Sequence, residues 1–227
     1  MGDNGLKKGP LVTIDGPAGA GKSTVSRILA KRLSCLYLDT GALYRAVACR
    51  VIREGISSTD EERIATLCER VKIRLCWIED ALRVYADGED VTDEIRMESV
   101  SLLASRLSAL PVVRAALLSI QREAGKQGGI IAEGRDMGTV VFPEADFKFF
   151  LDANVEERIR RRGLELAMRG ERVDVPSLRK DLLLRDQQDR ERTISPLKVP
   201  EGAMMIDSTH LSVDAVVEAM LMAIAGQ

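Results

Sequence analysis

Residues Gly16-Pro17-Ala18-Gly19-Ala20-Gly21-Lys22-Ser23-Thr24 constrain this chain more than any other stretch. They satisfy G-x-x-x-x-G-K-[ST] at every fixed position. The flanks agree: Leu11-Val12-Thr13-Ile14 reads as a short buried strand, and Val25 to Leu33 as a helix with Val25, Ile28, Leu29 and Leu33 on one face. Glycines let the backbone turn with positive φ, so that successive N–H groups converge on phosphate oxygens at a helix N-terminus. Lys22 can reach the β- and γ-phosphates, and the Ser23 hydroxyl can ligate Mg²⁺. A loop of this kind implies a bound nucleoside triphosphate.

The rest of the chain supplies the sheet such a loop needs. Cys35-Leu36-Tyr37-Leu38, Gly129 to Glu133, Phe147 to Leu151 and Met204-Met205-Ile206 are short apolar runs separated by helical patterns. Strands alternating with helices predict an α/β fold with a mostly parallel sheet of five strands, helices on both faces and ligands at the carboxyl ends of the strands. Residues 72 to 91 break the rhythm. Val71 to Trp77 alternates apolar and polar residues, and Leu82 to Tyr85 and the Asp87-Gly88 turn follow. That pattern predicts a small antiparallel meander inserted into the α/β domain. Helices are expected over 42–54, 97–108, 111–124, 154–168, 176–192 and 213–224, with one more starting after Ser58 or Thr59.

Composition narrows the function. The 227 residues carry a net charge of −2 and eight aromatic residues, so neither a general affinity for nucleic acid nor a single-strand-binding surface is expected. Charge is nonetheless uneven, with ten arginines between residues 158 and 192. Cys35, Cys49, Cys68 and Cys76 show no zinc or C-x-x-C spacing and read as free thiols. No apolar run approaches membrane-spanning length, and residues 1–10 read as a polar, flexible leader. A cytoplasmic monomer without nucleic-acid or membrane partners is the expectation.

Four further groups point to a polyanionic substrate. Glu133 and Asp15, at strand ends beside the loop, are candidates for the outer shell of a magnesium ion. Glu133-Gly134-Arg135-Asp136-Met137-Gly138-Thr139 places charges between glycines at a strand end, which suits ligand contact; an Arg135–Asp136 ion pair is the plainer alternative. Arg185, Asp189 and Arg192 share one helical face and could grip a phosphate and a sugar hydroxyl. Arg158, Arg161, Arg162, Arg169 and Arg172 could close over a transferring phosphoryl group. No [NT]-K-x-D motif accompanies the loop, which argues against a regulatory GTPase.

Four motifs in order, I-D-G-P-A-G-A-G-K-S-T, L-D-T-G-A-L-Y-R, E-G-R-D-M-G-T-V-V-F-P and R-D-Q-Q-D-R-E-R, resemble the bacterial cytidylate kinases over about residues 11 to 225. The resemblance implies a P-loop NTPase fold and transfer of a phosphoryl group from ATP to CMP or dCMP, with Mg²⁺ as cofactor. It also implies a core (11–40, 125–155 and 195–227), a nucleotide-monophosphate region carrying the insertion (41–124) and a short lid (156–175). Gly16 through Thr24 would hold ATP. Thr40, Tyr44 and Arg45 match the acceptor motif, with Tyr44 on the pyrimidine and Arg45 on its phosphate. Ser105 matches the serine that reads the cytosine ring. Arg114 and Arg135 match the remaining phosphate and base arginines, and Asp136 the acceptor for the cytosine amino group. Arg185 and Asp189 match the sugar pair, Arg192 a phosphate arginine, and Arg158 and Arg162 the lid arginines. A small-metabolite kinase and a non-catalytic nucleotide sensor are the competing readings.

Overall fold

A computed structural model of the protein describes residues 9–78, 81–170 and 172–226; the polar leader up to residue 8 and the 79–80 turn of the meander lie outside the described residues. The chain forms two compact units. One contains the described residues up to Asp39, Gln121–Glu191, and the chain from Ser195 onward; the other contains Thr40–Ile120 and the short return segment Arg192–Ile194.

The first unit is built on five parallel strands: β1 (Leu11–Asp15), β2 (Leu36–Asp39), β6 (Ile130–Gly134), β7 (Phe147–Asp152) and β8 (Met204–Asp207), in the order β2-β6-β1-β7-β8. In β1, Val12, Thr13, Ile14 and Asp15 are all buried, as expected for a central strand with both faces covered. Because every pairing is parallel, the carboxyl ends gather at one edge, where Asp39 stands opposite Glu133 and Asp15 opposite Gly134. Helix α1 (Lys22–Leu33) packs on β1, β2 and β6. It ends at Ser34, whose left-handed backbone lets its N–H reach the carbonyls of Ala30 and Lys31. Gly9 and Pro10 fall within the expected leader, yet their carbonyls accept from the N–H groups of Gly129 (2.6 Å) and Ile130 (3.1 Å).

The arginine-rich segment is two helices, α6 (Val155–Met168) and α7 (Val175–Glu191). Asn154 caps α6 by accepting from the Glu157 N–H (2.8 Å), and Glu156 and Glu157 complement its first turn. Ile159, Leu166, Leu178 and Leu182 form a small core between them. The closing helix, α8 (Val213–Ala225), is capped by Ser212. An element without counterpart in the sequence expectations follows β6, where the chain makes a π-helical turn, Met137–Val141, in which the Val141 and Phe142 N–H groups reach the carbonyls of Asp136 and Met137.

The second unit begins with α2 (Thr40–Arg53), which starts directly after β2, two residues before the expected position. It continues through α3 (Glu61–Arg70), the antiparallel meander β3 (Ile73–Ile78), β4 (Ala81–Ala86) and β5 (Glu89–Asp90), then α4 (Glu98–Leu107) and most of α5 (Pro111–Gly125). Asp87 (φ 52°) and Gly88 (φ 87°) make the tight turn expected of an Asp-Gly pair. Leu43, Ile64, Leu67, Leu107 and Leu117 are fully buried in this unit's own core. Burying each contributes about 1.5–3 kcal/mol, so a core of this size suffices to define a unit. Arg53 ties the meander to α2, reaching Glu89 and Glu94 at once.

Candidate active site

The phosphate loop is shaped by what presses on it. Gly16 lies at φ +151°, and a Cβ there would come within 1.9 Å of the Leu151 carbonyl oxygen on β7. Gly19 and Gly21 also take positive φ, and a Cβ on Gly19 would meet the Arg158 backbone and Cβ at 3.1 Å. Arg158 is 2% exposed and donates to the Ala18 carbonyl (3.1 Å), the Ala153 carbonyl (3.0 Å) and the Asp186 carboxylate (2.7 Å). Arg161 donates to the Ala20 carbonyl (3.3 Å) and to Ser208, whose own hydroxyl also donates to Ala20 (3.2 Å). With those carbonyls engaged, the N–H groups are the side of the loop left for an anion.

Lys22 opens α1 and is buried, with Nζ donating to the Pro17 carbonyl at 2.7 Å. Burial, and after it the charge of Arg135, pushes its pKa down to about 7, against the opposing pull of Glu133, Asp189 and Asp15. A lysine held this way is folded onto its own loop and gains a strong anionic partner when phosphates arrive.

The oxygen donors lie at the carboxyl ends of β2 and β6. Glu133 is 3% exposed and accepts from the Tyr37 hydroxyl. The Ser23 hydroxyl lies near this same pair and works to lower the pKa of both groups. Burial raises the Glu133 pKa, and the neighbouring Asp39 raises it further. Two carboxylates drawn together beside a serine hydroxyl form an oxygen-only set that suits a hard divalent cation. Asp15 does something else. Its two carboxylate oxygens accept from the backbone N–H groups of Met137 and Gly138, each at 2.8 Å, so it anchors the π-helical turn. Burial lifts its pKa to about 6 even though both hydrogen bonds work to lower it.

Directly before that turn come Arg135 and Asp136. The ion pair of Arg135 is with Asp189 on α7 (2.6 Å), which joins two motifs far apart in sequence. Burial works to lower the Arg135 pKa, and Asp189, together with Glu133 and Asp186, more than offsets it. Asp136 is 3% exposed. Arg185 is half-buried one helical turn before Asp189.

The second unit holds its own group. Thr40 and Tyr44 are buried on α2, Arg45 is half-buried beside them, and the Arg114 guanidinium lies 5.8 Å from the centre of the Tyr44 ring. Arg114 donates to the Ser108 carbonyl (3.2 Å), and Arg192 donates to the Ser108 hydroxyl (3.2 Å). Ser105, on α4, is half-buried.

The sequence profile of the cytidylate kinases matches residues 12–226. The chain belongs to the cytidylate kinase family. A cytidylate kinase of Geobacter sp. (strain M21) is 50% identical over 214 residues, covering 94% of this chain and 92% of that protein. The cytidylate kinase of Stutzerimonas stutzeri (strain A1501) is 44% identical over 222 residues, 97% of each chain. A solved structure of an uncharacterized protein from Eubacterium ventriosum superposes with a TM-score of 0.51 at 12% identity, covering 97% of this chain and all of the other; that likeness concerns the fold alone. As a member of this family the protein is a nucleoside monophosphate kinase of the P-loop fold.

Within this cytidylate kinase the two expected lid arginines have different surroundings. Arg158 is a buried brace of the phosphate loop, whereas Arg162 is half-buried and paired with Glu165 (2.7 Å). Sequence reasoning did not single out Tyr37, Asp186, Ser208 or Ser108, and it grouped Arg161 with the mobile arginines. For Arg161 a signal existed: it lies three residues after Arg158, on the same face of α6. For the others none did, since each acts through a partner distant in the chain.

Proposed function

We propose that this cytidylate kinase transfers the γ-phosphoryl group of Mg-ATP to CMP and dCMP, releasing ADP and the diphosphates CDP and dCDP. The observation that carries the proposal is the family match across residues 12–226, which spans the phosphate loop and every acceptor residue named above. An oxygen of the acceptor phosphate attacks the γ-phosphorus. The new P–O bond forms as the bond to the β–γ bridging oxygen breaks, leaving ADP. The acceptor is already anionic, so no protein base is required; alignment and charge neutralisation supply the rate.

In this reading the loop amides and Lys22 hold the β- and γ-phosphates. Ser23 and the Glu133–Asp39 pair would hold the magnesium ion, directly or through water. That ion supplies neutralisation of the charge developing on the phosphate oxygens. Tyr44 and Arg114 take the pyrimidine, Ser105 its edge, and Arg45 and Arg192 the acceptor phosphate. Arg185 and Asp189 orient the sugar, and Arg162 is the arginine proposed to meet the transferring group. Asp136 accepts from the cytosine amino group; UMP offers an acceptor there and would leave a buried carboxylate facing it.

The test is ADP release from Mg-ATP with CMP, dCMP, UMP, AMP and shikimate offered separately. Fast turnover with CMP and dCMP and slow turnover with UMP is the expected result. Turnover with shikimate alone would overturn the proposal.

A further inference from the structure

Ser108 is not among the motif positions, yet it sits where several acceptor-side groups meet. It closes α4, with its N–H bonded to the Ala104 carbonyl (2.9 Å), three residues before Pro111 opens α5. Its side chain is 7% exposed. A serine hydroxyl has one proton and two lone pairs. The proton goes to the Ser105 carbonyl (2.7 Å), so toward Arg192 Nη1 (3.2 Å) the oxygen is an acceptor. The Ser108 carbonyl meanwhile accepts from Arg114 (3.2 Å). One corner residue thus receives two guanidinium groups, one from α5 and one from the segment Arg192–Ile194.

That segment is three residues long and belongs to a unit otherwise made of Thr40–Ile120. Arg192 itself lies one residue past the end of α7 (Val175–Glu191), outside the regular helix. A long side chain that is not seated must be ordered when ligand binds, at a cost of about 0.5–1.5 kcal/mol. We infer that Ser108 is a positioning residue: its hydroxyl seats Arg192 in advance for the acceptor phosphate, while its carbonyl seats Arg114. The inference rests on the proposed use of Arg192 as a phosphate arginine. The plainer role, local capping of α4 through the bond to Ser105, predicts a loss of stability but no dependence on Arg192.

Steady-state kinetics with ATP and CMP separate the two. Wild-type turnover of CMP is measured first, and its absence would sink the functional reading and this inference with it. Given that turnover, Ser108→Ala is expected to lower kcat/KM for CMP roughly 2- to 12-fold, the ordering cost expressed as a ratio. The loss should lie chiefly in the KM for CMP, with the KM for ATP and the CMP/UMP preference unchanged. Ser108→Thr, which keeps the hydroxyl, should restore most of it. In an Arg192→Ala background the Ser108→Ala effect should vanish. An unchanged kcat/KM for CMP, or the same factor with and without Arg192, would overturn the inference while leaving CMP phosphorylation standing. Thermal midpoints of all four variants identify any that lose the fold, and Ser108→Thr then carries the comparison.

Discussion

Lys22 and Asp136 are both buried, and both can be tested by removing one charge. Lys22→Met deletes the only side-chain cation of the loop itself, and kcat is expected to fall by a factor on the order of 10²–10³ in the coupled ADP assay. Asp136→Ala should leave ATP binding intact while lowering kcat/KM for CMP and eroding the preference over UMP; an unchanged CMP/UMP ratio would remove Asp136 from base reading. Glu157 makes a prediction about pH. Arg160, and with it Arg161, holds its carboxyl down to about 2 from an ordinary value of 4.5. A carboxylate with a depressed folded-state pKa stabilises the protein above its unfolded value and loses that contribution as pH falls. Its side chain keeps some solvent access, so the contribution stays below about 1 kcal/mol. Glu157→Gln should therefore unfold more easily at pH 7, and urea titrations should show the gap closing between about pH 4.5 and pH 2.

At the scale of elements, the glycines of the phosphate loop and those of ordinary turns behave differently for a geometric reason. Gly16→Ala would drive a methyl group into the Leu151 carbonyl, at 1.9 Å, on a backbone with φ +151°. Gly170, at φ +76°, faces nothing within 4 Å. Gly170→Ala should cost only about 1 kcal/mol of backbone strain, whereas Gly16→Ala should abolish ATP binding and lower the melting temperature by many degrees; calorimetry on both variants checks the contrast. The elements were largely legible beforehand. The runs at β1 and β6 announce themselves because a strand covered on both faces is largely apolar, those at the edge strands β2 and β8 because short apolar runs stand between helical patterns although Leu36, Met204 and Met205 are exposed, and Asp87-Gly88 because few pairs adopt two positive φ values. The π-helical turn was not legible. It is held by Asp15 from the far end of β1, and a carboxylate bonded to a distant backbone leaves no periodicity to read. The surroundings of Arg158 were not legible for a related reason: only the fold reveals that Asp186 and two backbone carbonyls surround it.

For the whole molecule, the separation between scaffold and chemistry sets the expected response to metal removal. Among the described residues no group of three or more histidine, cysteine or acidic side chains could hold a metal ion as a structural centre. A chelator should therefore stop turnover while circular dichroism and the thermal midpoint stay where they were; loss of secondary structure on adding EDTA would show a metal that holds the fold. Sequence resemblance named the candidate residues, but their partnerships, Arg135 with Asp189 and Arg192 with Ser108, came only from the folded chain. The strand order carries a last consequence. Of the five strands of this sheet, β1 is translated before the others and lies in the middle, and its partners Ile130 and Phe147 emerge far later. Between them the chain delivers Thr40–Ile120, whose core is filled by its own neighbours. Loop closure over long separations is slow, so the inserted unit should acquire protected amides first while β1 waits exposed. Birth order and folding order are then opposed: the phosphate-loop segment is translated before the inserted unit and becomes a structure after it.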